Sequence, residues 1–301
     1  MPAGFHTVTD APKPKRFILY GPPKTVKTPL ALAYGAYLRS LNPNSRTLYV
    51  AADRGSEDLP SLPDPSWREW IDVWKFSSPL DKDYDPYKDA VQVAMTDWKA
   101  KDANYDLIIW DTFAITLEQI LQYISDKEFF AGQGGSKHVS FGDPTLPKGH
   151  PAKLNIPMPG DYNGVNGIAK RLVDSLCAQG TSVFLICHET EIKDEKGIKR
   201  LGPSFVGNAL TSKLPGWMTG LLYTEKFGEI DEKTGKVRSQ LYVCSDPDDG
   251  MHIAGIRHEP VKGDPRNPLG RTKVGTDLVA YWKLFFTTLF PNEQLQTTGV
   301  K

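Results

Sequence analysis

Residues 16–28 read RFILYGPPKTVKT, and this stretch decides the fold class that the sequence predicts. An apolar run ends at Gly21, and apolar residues at helix-compatible spacing follow Thr28. Between them, residues 21–28 match the pattern G-x-x-x-x-G-K-[ST] except at one position. In this pattern backbone N–H groups surround phosphate oxygens, the lysine binds the β and γ phosphates, and the hydroxyl group binds Mg²⁺. The order strand, loop, helix therefore predicts a nucleotide-phosphate site at a helix N-terminus.

The predicted phosphate site takes ATP and Mg²⁺ as cofactors. Val26 stands where the pattern has glycine, and a β-branched residue resists backbone angles that glycine tolerates. An alternative interpretation is a strand–turn–helix corner with a chance Lys-Thr pair. Lys27 is also predicted to be catalytic, and Thr28 to be a Mg²⁺ ligand. The predicted cofactor-binding residues are Gly21, Pro22, Pro23, Lys24, Thr25, Val26, Lys27 and Thr28.

A second apolar run, YDLIIWDT at residues 105–112, ends in an acidic residue. This is the pattern of a Walker B strand, in which the acid at the carboxyl end orients Mg²⁺ or its bound water. Ligands of parallel sheets bind at that edge, so Asp111 is the predicted Mg²⁺-side carboxylate. The alternative is that Asp111 caps the helix that follows.

Polar residues also end two other apolar runs. Asp53 ends RTLYVAAD, where an acid beside the phosphate loop could deprotonate the attacking water, and Glu57 is a second candidate. His188 ends TSVFLICH, where it could hydrogen-bond the γ-phosphate and report its presence to the next loop. The alternatives are an ordinary loop acid and a structural histidine.

Composition limits the classes of protein that this chain can be. Lys+Arg and Asp+Glu are each 36, so the chain lacks the basic excess that holds a protein on nucleic acid by bulk charge. No stretch approaches the roughly 20 apolar residues that span a bilayer, and the N-terminus has no hydrophobic signal segment. The three cysteines lack metal-ligand spacing. We expect a cytoplasmic protein without membrane contact.

Strands alternate with helices along most of the chain, which predicts an α/β fold with a mostly parallel central sheet flanked by helices. Two strands joined around residues 233–235 predict a C-terminal β-hairpin extension of that sheet. We expect a flexible N-terminal arm at 1–15, a single ATPase domain at 16–290 and a flexible tail at 291–301. Helices are expected at 86–101 and 276–290, and a long loop is expected at 131–161, whereas residues 190–216 are polar and glycine-bearing.

The chain resembles RecA-like P-loop ATPases, most closely a phage-encoded recombination and single-strand annealing group of AAA-type nucleotide-binding proteins. The resemblance covers about residues 16–260. It is carried by ILYGPPKTVKTPLA, the acid in LYVAADRG, LIIWDT, DYNGVNGIAKRLVDSL, VFLICHE and LGPSFVGNALTSKLPGWMTGLLY.

The resemblance implies a RecA-like core that forms a ring or filament, binds ATP at or between subunits and engages single-stranded DNA. It places Asp53 on the catalytic base and His188 on the strand-end sensor, whereas Val26 and the aspartate at position 53 depart from the family pattern. It further implies the host cytoplasm as location and a single-strand DNA-binding or annealing protein as partner.

RecA-like proteins hold DNA with two loops, which fall here near 131–161 and 189–216. Basic residues neutralise phosphates, but Glu189, Glu191, Asp194 and Glu195 dilute the charge of the second loop, so a solvated mixed-charge loop is the alternative. An arginine finger near the C-terminus is a further option. The predicted DNA-binding residues are Lys193, Lys196, Lys199, Arg200 and Lys213.

Two functions remain open from the sequence. The first is a DNA-dependent ATPase that acts on single-stranded DNA in phage recombination or replication. The alternative is a nucleotide-binding, DNA-binding scaffold with weak or lost hydrolysis because of Val26. A RecA-fold helicase motor is less favoured because the chain has little room for extra domains.

Overall fold

Helices cover both faces of a mostly parallel β-sheet. The computed structural model describes residues 14–52, 59, 62–77, 81, 83–98, 105–127, 140–141, 154–193, 197–230, 235, 237–245, 254–256 and 269–290. Its strands are β1 (Arg16–Gly21), β2 (Arg46–Ala51), β3 (Ile71–Lys75), β4 (Tyr105–Asp111), β5 (Ser140–Phe141), β6 (Leu154–Asn155), β7 (Ser182–Lys193), β8 (Lys199–Pro203), β9 (Gly220–Ile230), β10 (Val237–Cys244), β11 (Gly255–Ile256) and β12 (Arg271–Val274). Its α-helices are α1 (Lys27–Leu41), α2 (Pro86–Met95), α3 (Phe113–Asp126), α4 (Pro159–Ala178), α5 (Asn208–Lys213) and α6 (Leu278–Leu289).

The main sheet has the strand order β12-β10-β9-β1-β7-β4-β2-β3, with β8 paired to β7 and β11 to β9. The six strands from β9 to β3 are parallel, whereas β10 and β12 add antiparallel strands at one edge. The strand that precedes the phosphate loop, β1, is therefore separated from the Walker B strand, β4, by β7 alone. The predicted α/β architecture, a mostly parallel sheet flanked by helices, is confirmed, including the C-terminal antiparallel strands.

The core forms two layers because side chains of successive strand residues point to opposite faces. Ile18 and Tyr20 of β1 pack with α2, α3 and α4, while Phe17 and Leu19 pack with α1 and α6. Strands buried on both faces need continuous apolar runs, as in RFILYG and YDLIIWD.

Aromatic rings join the C-terminal helix α6 to α1. The Tyr34 and Phe286 rings stack at 5.4 Å, and Tyr34 and Trp282 lie 5.2 Å apart. The Trp282 indole Nε1 donates a hydrogen bond to the Leu30 carbonyl oxygen at 2.7 Å. The helix expected at 276–290 thus covers the helix that carries the phosphate loop.

The hairpin expected around 233–235 is present as β9 and β10, with Ile230 opposite Val237. Two other expectations are wrong in part. The helix expected to run from 86 to 101 ends at Met95, because Trp98 turns back into the core and its Nε1 donates to the Val93 carbonyl oxygen at 2.8 Å. The loop that the family resemblance places near 189–216 contains a second hairpin, β7–β8, followed by α5.

Several segments for which the sequence makes predictions lie outside the described residues. They include most of the arm at 1–15 and all of the tail at 291–301. Within the loop expected at 131–161, β5 and β6 form a two-residue antiparallel pair and α4 begins at Pro159. Among the helices that the structure describes, none is long and apolar enough to cross a bilayer.

Candidate nucleotide-binding site

The phosphate loop connects β1 to α1 at the carboxyl edge of the parallel strands. Gly21 ends β1 with φ 149°, and a Cβ atom there would lie 2.2 Å from the Thr224 backbone oxygen of β9. Such a distance is incompatible with any side chain, so only glycine allows the loop to leave the sheet beside β9.

Two residues of the loop have left-handed backbone angles. Lys24 has φ 63°, and Val26 has φ 64° and ψ 24°. Glycine adopts this conformation freely, whereas a β-branched residue does so rarely and at a cost of about 1–3 kcal/mol. Val26 therefore departs from the motif in sequence while it keeps the backbone conformation for which the motif uses glycine.

The N-terminus of α1 is suited to an anion. Val26 precedes its first residue and has no side-chain acceptor, and the first turn of α1 contains no acidic residue. The first N–H groups of a helix lack intrahelical partners and carry a partial positive charge. Phosphate oxygens are the expected acceptors at this end.

Lys27 is buried beneath the loop, with only 7% of its surface exposed. Its Nζ donates hydrogen bonds to the carbonyl oxygens of Gly21 at 3.0 Å and Pro22 at 2.6 Å. Burial lowers the pKa of Lys27, and the nearby negative charges of Asp111 and Glu189 partly oppose this shift. The ammonium group thus lies inside the loop, within reach of whatever the loop binds.

Thr28 and Asp111 meet as the predicted Mg²⁺ ligands should. The Thr28 hydroxyl donates a hydrogen bond to Asp111 Oδ2, and the Tyr49 hydroxyl of β2 donates to the same oxygen at 3.0 Å. Asp111 is 5% exposed and ends β4, and Thr112 rather than Asp111 occupies the N-cap position of α3. A carboxylate and a hydroxyl group are hard oxygen donors, which fit Mg²⁺.

His188 lies beside the start of the phosphate loop, because β7 is the neighbour of β1 and His188 is opposite Gly21 in the register. The loop, Asp111 and His188 all line one cavity of about 400 Å³. The strand order thus brings together three predicted site regions that are far apart in sequence. The other wall of the cavity is apolar and contains Pro29, Leu32, Leu59, Leu62 and Ile186.

Asp53 and Glu57, the predicted catalytic base and its alternative, lie outside the described residues, and so does Lys196. Among the other predicted DNA-binding residues, Lys193 and Lys199 are exposed and lie opposite each other in the β7–β8 hairpin. The hairpin also carries Arg200, and exposed Lys213 ends α5.

Three polar residues around the loop were missed by sequence reasoning. Besides Tyr49, they are Thr224, which contacts the loop from β9, and Tyr223, whose hydroxyl donates to Glu189 Oε2 at 3.0 Å. Burial raises the pKa of Tyr223, and this hydrogen bond raises it further. Each lies within an apolar strand, where its hydroxyl gives no separate signal in the sequence.

The fold and this site define a P-loop ATPase, a class that binds nucleotides through such a loop. A family model described as "AAA domain" matches residues 13–243, and the chain belongs to that family. Among solved structures, the chain is similar to a KaiC-like protein from the hyperthermophilic archaeon Pyrococcus horikoshii OT3. The two share 11% identity with a TM-score of 0.42 over 88% of this chain and 91% of that one. No curated protein matches the sequence.

Proposed function

We propose that this protein binds and hydrolyses ATP with Mg²⁺ and acts on single-stranded DNA in phage recombination or replication. The observation that supports ATP binding best is the shared cavity of the phosphate loop, Asp111 and His188. The groups there match a nucleoside triphosphate: N–H groups of a helix N-terminus, the buried Lys27 and two oxygen ligands for a hard cation.

Each residue has a distinct role in this proposal. Thr28 and Asp111 would hold Mg²⁺, which would supply positive charge to offset the negative charge of the nucleotide phosphates. On nucleotide binding, the Lys27 ammonium group replaces its hydrogen bonds to the Gly21 and Pro22 carbonyl oxygens with hydrogen bonds to phosphate oxygens. The buried ammonium group then contacts a negatively charged partner. Asp53 is the proposed general base for the attacking water.

Coupling of hydrolysis to DNA is proposed to run along β7. This strand continues without interruption from its buried part, past His188, to Lys193 in the exposed hairpin. A displacement of His188 by the γ-phosphate would therefore move backbone that carries the hairpin. Basic residues at its end could neutralise DNA phosphates, although the Lys199 ammonium already pairs with Glu191 at 2.9 Å.

Measurement of ATP turnover with and without single-stranded DNA tests this function. The wild-type protein should turn over ATP faster with DNA, and Lys27→Ala should abolish turnover in both conditions. Lys170→Ala is a matched control, because Lys170 is an exposed lysine of α4 that pairs with Asp174 on the same helix. Turnover that does not respond to DNA contradicts the proposed DNA dependence.

One observation favours the second candidate, a nucleotide-binding scaffold with weak or lost hydrolysis. Val26 is in the left-handed conformation directly before Lys27 and lines the cavity, at a position where the pattern has a glycine without a side chain. Tight ATP binding without turnover in either condition would support this candidate and exclude the first.

The family resemblance further leads us to propose a homo-oligomer, ring or filament, and a single-strand DNA-binding or annealing protein as partner. Light scattering of the wild-type protein with ATP and single-stranded DNA tests the first point. A mass equal to one chain under all conditions contradicts it.

A further inference from the structure

We infer that Thr224 of β9 is a positioning residue that holds the phosphate loop in its nucleotide-binding conformation. Thr224 lies at the point where the hairpin strand β9 passes the start of the loop. The two regions are 199 residues apart in sequence at their closest hydrogen bond. The effect on nucleotide affinity rests on the proposed function, whereas the effect on loop conformation does not.

Thr224 and Thr25 form a buried pair of hydroxyl groups. Their Oγ1 atoms lie 2.8 Å apart, and the residues are 0% and 4% exposed. Thr25 Oγ1 also lies 2.8 Å from the Pro22 carbonyl oxygen, and Thr224 Oγ1 lies 3.2 Å from that of Tyr20. Each hydroxyl has one proton, so two of these three contacts can be hydrogen bonds at once. In two of the three possible arrangements, one hydroxyl group donates to its carbonyl oxygen and the other donates to the partner threonine, and the 2.8 Å between the two Oγ1 atoms fits these arrangements.

This bond acts at the strained part of the loop. Thr25 stands between Lys24 and Val26, the two left-handed residues, and the valine pays the larger steric cost. Residues in such conformations persist where their surroundings hold them. Of Lys24, Thr25 and Val26, only Thr25 is buried. Its hydroxyl group is therefore the contact through which β9 can hold the two residues on either side of Thr25.

The backbone of β9 makes a second contact with the loop. The Thr224 carbonyl oxygen occupies the space that a side chain at Gly21 would need. Thr224 thus leaves no room for a side chain at Gly21, the first residue of the loop, and its hydroxyl group contacts that of Thr25, the fifth. The hairpin therefore sets the geometry of the phosphate site together with β1 and α1.

Thr224→Val tests the inference, because valine keeps the shape of threonine and removes the hydroxyl group. Without nucleotide, backbone amide hydrogen exchange in residues 21–30 should become faster. Affinity for ADP should fall about tenfold, which corresponds to one buried hydrogen bond. Thr224→Ser restores the hydroxyl and should recover both properties to within about twofold.

Thr181→Val is the matched control. Thr181 is also fully buried, and its hydroxyl donates to a backbone carbonyl oxygen, that of Tyr105, at 3.1 Å. It precedes β7 at the opposite end of the parallel strands. If the loss of any buried hydroxyl group had these effects, Thr181→Val would behave like Thr224→Val. That result would overturn the inference.

A double-mutant cycle with Val26→Gly separates positioning from general stability. Glycine removes the strain that Thr224 is inferred to counteract, so Val26→Gly should suppress most of the affinity loss of Thr224→Val. Additive effects of the two changes, or unchanged loop exchange in Thr224→Val, would overturn the inference. If the wild-type protein binds no ADP, the proposed function fails, and loop exchange still decides the role of Thr224.

Discussion

The Tyr49 hydroxyl donates a hydrogen bond to Asp111 Oδ2 at 3.0 Å, between the neighbouring strands β2 and β4. The Thr28 hydroxyl donates to the same oxygen, so two donors fix the carboxylate from different sides. Both tyrosine and aspartate are buried, and such a bond contributes about 1.5–3 kcal/mol when the acceptor is charged. Orientation of the carboxylate that we propose as a Mg²⁺ ligand therefore depends on a residue outside the motifs.

Tyr49→Phe should weaken the gain in nucleotide affinity that Mg²⁺ provides, by roughly fivefold to tenfold, because Asp111 Oδ2 loses the hydrogen bond from the Tyr49 hydroxyl. ADP affinity without Mg²⁺ should change little. The measurement is calorimetric titration with and without Mg²⁺. Tyr105→Phe is the control, since Tyr105 makes an equivalent bond to Asp72 at 2.8 Å, away from the cavity. Equal effects of the two variants would contradict this prediction.

Lys27 should give two opposite pH dependences. Its folded pKa is lowered by burial from 10.5, so the folded protein binds fewer protons than the unfolded chain in the window between the two values. Stability without nucleotide should therefore rise with pH through that window and decrease as the pH falls toward the folded pKa. Affinity for ADP should instead fall as the pH rises through the folded pKa, because the phosphates lose a positive charge.

The measurements are unfolding free energies and ADP titrations between about pH 7 and about pH 10.5, a range that includes the reference lysine pKa. Lys27→Met removes the titrating group, so its free energy of unfolding should lack the increase with pH that Lys27 contributes in the wild-type protein. Identical stability profiles of the two proteins would show that Lys27 does not titrate in this window.

Lys193→Ala should weaken single-stranded DNA binding and lower the salt dependence of the affinity. Loss of one phosphate contact should reduce the slope of log affinity against log salt by about 0.7. Anisotropy titrations at several salt concentrations measure this slope, with Lys283→Ala, an exposed lysine of α6, as control. A slope unchanged by Lys193→Ala removes the β7–β8 hairpin from the DNA-binding surface.

Trp282→Ala should lower the free energy of unfolding by about 3–5 kcal/mol, because it opens a cavity in the aromatic layer between α6 and α1. It also removes the hydrogen bond to the Leu30 carbonyl oxygen. Leu284→Ala, on the same helix but 50% exposed, should change the stability by less than about 0.5 kcal/mol. Urea unfolding compares them, and a similar small loss in both would mean that α6 is not part of the core.

The sequence predicts most of the site at the carboxyl edge of the sheet, because each motif is a short pattern of neighbouring residues. Asp111 and His188 were found as polar residues at the ends of apolar runs, and strand order then places them in one cavity. Thr224 and Tyr49 could not be found in this way, since their partners are set by strand neighbours distant in sequence. The early end of α2 had the same cause: Trp98 returns to the core, and helix periodicity alone carries no information on that contact.

The packing of α6 on α1 has a consequence for how the chain is made. Synthesis proceeds from the N-terminus, so the phosphate loop leaves the ribosome long before residues 278–289 are joined to the chain. Until then Leu30 and Tyr34 lack the Trp282 and Phe286 side chains that cover them. β9, which holds the start of the loop, is likewise synthesised late. Nascent chains are therefore expected to acquire full nucleotide affinity only after residues 278–289 have joined the chain and packed on α1.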